Sequence, residues 1–98
     1  RPNISYKVAL NADEAVTISA WVYVAASYNG SAYPRIVALG GYLQGVASDT
    51  IGDSHTGAAA WEELTVTVTP TESGILPFII EGQGTAGYWT VDTLSNSG

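Results

Sequence analysis

Over residues 61–70, WEELTVTVTP, apolar and polar positions alternate. Leu64, Val66 and Val68 fall on one parity, and Thr65, Thr67 and Thr69 on the other. A period of two sends one set into a core and leaves the other wet, which predicts a half-buried β-strand. Threonine is β-branched and suits a pleated, half-exposed surface. Pro70 has no N–H for a ladder and ends the strand. The same alternation predicts a strand over 4–10, with Ile4, Tyr6, Val8 and Leu10 together. It predicts another over 15–25, with Ile18, Ala20, Val22 and Val24 inward and Thr17, Ser19, Trp21 and Tyr23 outward.

The remaining elements are shorter. Residues 11–14 are a polar break suited to a turn. Residues 26–34 form a loop around Asn29 and Gly30, a favoured turn pair. Residues 35–39 predict a short strand, broken by Gly40 and Gly41 and resuming over 42–46. Residues 47–60 predict a long loop. Residues 75–81 predict a strand in which Pro77 signals an edge or a bulge. Residues 82–87 predict a glycine-rich hairpin loop, 88–94 a last strand with Trp89 and Val91 on the core parity, and 95–98 a frayed end or linker. No segment shows a 3.6-residue period. Six to eight short strands with close turns predict an all-β antiparallel sandwich or barrel without significant helix, a single domain over 1–98.

Composition changes the picture mainly by exclusion. The chain is 46% hydrophobic and 12% charged, so it is a folding sequence and not a disordered one. Nine acids against three bases give a net charge of −6, which argues against a nucleic-acid partner and against an anionic membrane surface. There is no cysteine, so no disulfide is needed. The chain begins at Arg1 without a leader, which suggests a processed product or a piece of a longer polypeptide.

Trp21 and Tyr23 are the first candidates for binding. Two residues apart on the parity that carries Thr and Ser, their rings would lie side by side on one sheet face. Flat aromatic faces suit the C–H faces of pyranose rings, with Arg35 or Thr67 supplying hydrogen bonds. The competing reading is that both rings cover the sheet against a neighbouring subunit or the 26–34 loop. Tyr28, Tyr33 and Tyr42 cluster in and near loops and could extend a recognition surface. Trp61 and Trp89 read as structural, Trp61 plugging one end of the sandwich.

Asp49, Asp53 and His55 form the one polar cluster with conceivable chemistry, but their spacing matches no ligand pattern and reads as a solvated loop. Glu62 and Glu63 are adjacent, so a strand points them to opposite faces and they cannot pair as acid and base. No catalytic residue and no metal ligand is assigned, and the chain reads as a non-enzyme.

Three stretches resemble the jelly-roll carbohydrate-binding modules, the galactose-binding-like sandwiches. VTISAWVYV is similar to a family strand, WEELTVTVTPTESG to its Thr-rich strand and turn, and GYWTVDTL to its closing strand. The middle, YNGSAYPRIVALGG, is similar to the version found in phage and virus structural proteins. The resemblance implies further N-terminal strands before Arg1, so the chain would be a trimmed module, a minimal variant, or one that completes its sheet with a partner. It also implies a jelly-roll-like path for the antiparallel sandwich and a structural calcium ion near those N-terminal strands. Thr93 stands where a second aspartate is usual, so calcium is weakly supported and no cofactor is expected.

The expected function is therefore a non-catalytic structural or interaction module of a virion, tail or extracellular assembly. Its partners would be protein subunits of that assembly, including copies of itself, at a virion surface or outside the cell. The alternative is a carbohydrate-binding module, with polysaccharide stacked on Trp21, Tyr23, Arg35, Tyr28 and Tyr33. A small hydrolase is the least supported of the three.

Overall fold

The structure, a computed structural model, describes residues 3–82 and 89–97, and side chains over 5–82. It is all β. The strands are β1 (Asn3–Leu10), β2 (Val16–Val24), β3 (Arg35–Ala38), β4 (Thr50–Ser54), β5 (Trp61–Val68), β6 (Gly74–Glu81) and β7 (Trp89–Ser97). They form two antiparallel sheets, one ordered β1-β6-β3-β4 and one ordered β5-β2-β7. Only β3 and β4 are joined within a sheet; the other five connections cross between sheets. That wrapping makes a two-sheet sandwich, one of the two architectures the strand spacing predicts, along the jelly-roll-like path the resemblance implies.

Alternation sets the register. Ile18, Ala20 and Val22 of β2 face Leu64 and Val66 of β5 on the inner side, all of them buried. Opposite them lie Ile36 and Ala38 of β3 and Leu76, Phe78 and Ile80 of β6, each fully buried. On the outer side of the three-stranded sheet the Thr17 and Thr67 hydroxyls meet at 2.8 Å, so β2 and β5 share one wet face.

Five expectations need correction. The 47–60 segment contains β4, which pairs with β3. Its sequence, TIGDS, hides it, because it has no apolar alternation and a glycine at its centre. Residues 42–46 do not resume a strand. Leu43 and Val46 form an isolated bridge and fold inward as a buried plug. Pro77 lies in β6, an interior strand between β1 and β3. An extended residue points its N and its C=O to the same side. Pro77 O accepts from Leu39 N at 3.0 Å, just past the end of β3, so the missing donor falls where the ladder has already stopped. Last, β6 and β7 belong to different sheets and so do not pair as a hairpin, and β7 continues to Ser97 where a frayed end or linker is expected. Residues 83–88 and the side chains of Trp89 and Val91 lie outside the described residues.

Candidate functional site

The expected sugar platform divides into two places at one end of the sandwich. The first is a ledge on the outer face of the three-stranded sheet. Trp21 and Tyr23 point outward from β2, as their parity requires, with Trp21 45% exposed. Across the ladder Trp21 faces Glu63 and Tyr23 faces Trp61. The Tyr23 and Trp61 rings are 5.6 Å apart and tilted by 54°. Trp61 is 47% exposed, so it does not plug the sandwich end; it is the third ring of the ledge. The signal for this was in the sequence, since 61 shares parity with Glu63, Thr65 and Thr67. The 26–34 loop leaves both indoles open to solvent.

The second place is a cleft of about 260 Å³ lined by Tyr33, Arg35, Ser54, His55, Glu81 and Gly82. Register builds it, because Arg35 pairs with Glu81 on one side and with Ser54 on the other. Arg35 Nε donates to Glu81 Oε1 at 2.8 Å, with the Arg35 side chain 41% exposed and that of Glu81 only 6%. A buried carboxylate needs such a partner. The Tyr33 ring lies against Gly57, where φ is +91° and a Cβ would come within 2.4 Å of the ring. Only glycine accepts both the left-handed backbone and that approach. The Tyr28 ring stands 5.7 Å away, and its hydroxyl donates to Ala32 O. Tyr28 and Tyr33 of the 26–34 loop thus come together beside Arg35 of β3, on the other sheet from Trp21 and Tyr23. Tyr42 is exposed outside both places.

The polar cluster disperses. Asp49 accepts from Gly40 N at 2.8 Å. Asp53 accepts from both N and Oγ1 of Thr65, each at 3.0 Å. His55 is buried, with Nδ1 accepting from Gly57 N and Nε2–H donating to Ala60 O, each at 2.9 Å. Those bonds define a neutral tautomer whose two nitrogens are both occupied. His55 is therefore a wall of the cleft and a strut for the 55–60 turn that leads to Trp61.

Glu62 braces the same turn. Its carboxylate accepts from the Thr56 hydroxyl and, at 2.8 Å, from Thr56 N, and lies 3.7 Å from His55 Nδ1. The hydroxyl bond first, then the backbone bond, holds its carboxyl below the usual carboxylate range, against a smaller opposing effect of desolvation. A depressed carboxyl contributes stability that is present above its unfolded pKa and lost as pH falls through its folded one. The turn should therefore loosen only below the ordinary glutamate range. Carboxyl NMR titration of Thr56→Ala should move the Glu62 midpoint upward, toward that of a free glutamate.

No protein-family model, no curated protein and no solved structure matches the chain.

Proposed function

We propose that this chain is a non-catalytic recognition module that holds saccharide chains on the Trp21–Tyr23–Trp61 ledge. One observation carries the reading: two half-exposed indoles and a tyrosine share an open sheet face whose other positions on β2 and β5 are Thr, Ser and Glu. Large aromatics left in water on a polar face are costly unless something covers them, and apolar C–H faces of sugar rings fit them. The hydroxyls and Glu63 around them suit the equatorial hydroxyls of the same ring. Work at a virion surface or outside the cell fits such a ligand.

Affinity electrophoresis on soluble polysaccharides tests this. The wild-type chain should be retarded by at least one polymer. Trp21→Ala and Trp61→Ala should each weaken binding about thirty-fold, the effect of losing an exposed aromatic anchor worth about 2 kcal/mol. Both should keep the wild-type melting temperature, because neither ring is in the core. Unchanged retardation of Trp21→Ala would sink the reading.

A second reading, assembly with copies of itself or other subunits, is favoured by a separate feature. The outer face of the four-stranded sheet carries Ile51 and Ile75, both exposed, on the same side as Val37, Pro77 and Ile79. Light scattering on the same preparations reads it out, and a monomer at high concentration counts against it.

A further inference from the structure

We infer that the Arg35 cleft is a second saccharide subsite, for one uncharged sugar ring bearing adjacent hydroxyls. The class of ligand rests on the saccharide reading above; the site itself stands on its own residues.

Size comes first. Small-molecule sites typically enclose about 300–1,000 Å³. At about 260 Å³ the cleft suits one ring and not a run of them. Such a site takes the end of a chain or a side branch, whereas the ledge lies open along the sheet.

Charge comes second. The Arg35 guanidinium is held at 2.8 Å by the carboxylate of Glu81, so the pair is close to neutral. Glu62 stands 3.7 Å from the His55 ring that walls the cleft. Among the described residues an anionic ligand would find no net positive charge here, in a chain of net charge −6. What Arg35 still offers is directional. With Nε engaged by Glu81, the Nη groups on the exposed part of the side chain remain as fixed donors. The hydroxyls of Ser54 and Tyr33 can each donate or accept. Donors and two-way hydroxyls around a neutral centre match a pair of neighbouring sugar hydroxyls.

Preorganisation comes third. Glu81 fixes Arg35, the cross-strand pairing with Arg35 fixes Ser54, and Gly57 and Tyr28 fix the Tyr33 ring. The Pro34 carbonyl accepts from His55 N at 2.8 Å, which ties the tyrosine loop to β4. Little ordering is left for a ligand to impose.

Amide NMR titration of the full chain with methyl glucoside and methyl galactoside tests the inference, with glucuronate as the charged counterpart. At least one neutral glycoside should shift the Tyr33, Arg35, Ser54 and Gly57 amides saturably, with a Kd in the millimolar range. Trp21→Ala should leave those shifts intact. Tyr33→Leu, and independently the exposed and better tolerated Ser54→Ala, should weaken them about tenfold, the loss of one hydrogen bond. Glucuronate should bind at least tenfold more weakly. Amides that do not move at about a hundredfold excess over a millimolar Kd, affinity unchanged in Ser54→Ala, or glucuronate binding as tight as the neutral glycosides would each overturn the assignment. Failure of the ledge alone would leave these shifts in place, so the two outcomes are separable.

Discussion

Gly52→Ala should cost the fold about 3 kcal/mol, although the same change in an ordinary strand stabilises it by about 0.5–1 kcal/mol. The reversed sign comes from where β4 sits. A Cβ at residue 52 would lie 2.4 Å from Thr65 O, 2.7 Å from Val66 Cβ and 2.8 Å from Ile36 Cγ2. The nearest of these is backbone of β5 and cannot rotate away. Relief requires β4 to move off β5, which breaks the Asp53 bonds to Thr65 as well. Overpacking costs typically reach about 3 kcal/mol, and the rigid neighbour places this one at the upper end. Urea denaturation should show a lower midpoint at an unchanged slope. A midpoint equal to or above wild type would mean that β4 does not sit this close.

The second large effect is at Phe78. It is fully buried in the middle of β6, between Tyr6 of β1 and Ala38 of β3, and faces the inner side of the other sheet. Phe78→Ala removes a ring that nothing else can replace and should cost about 3–5 kcal/mol. A domain of this size has about 5–15 kcal/mol in total, so the variant should melt far lower or fail to accumulate folded. The check is again a denaturation midpoint, with Ile75→Ala on the outer face as the comparison that should scarcely move it. Equal losses at 75 and 78 would contradict the register.

What could be read from the chain in advance follows from one physical rule. Strands that bury one face advertise themselves, and β2 and β5 did so through Ile18, Ala20, Val22, Leu64, Val66 and Val68. β4 buries no apolar row. It is held by its ladder to β3 and by Asp53, so its sequence carries no period to detect. Pro77 misleads for a related reason: its rule concerns the missing donor, and only the tertiary end point of β3 shows that the named ladder stops at Ala38, one residue short of it. The ledge was half legible. Trp21 and Tyr23 lie on one strand, where parity suffices. Adding Trp61 needs the β2–β5 register, and uniting Arg35 with Glu81 needs a pairing across 46 positions of chain.

The Asp53 contact also fixes how copies of this domain could join through their backbones. β4 and β5 end their sheets on the same flank, and Asp53 already occupies the Thr65 N–H there. The opposite flank ends in β1 and β7. A strand added to the β5 edge would have to displace Asp53 from the Thr65 N–H, so backbone pairing between copies forfeits one ladder bond at that edge.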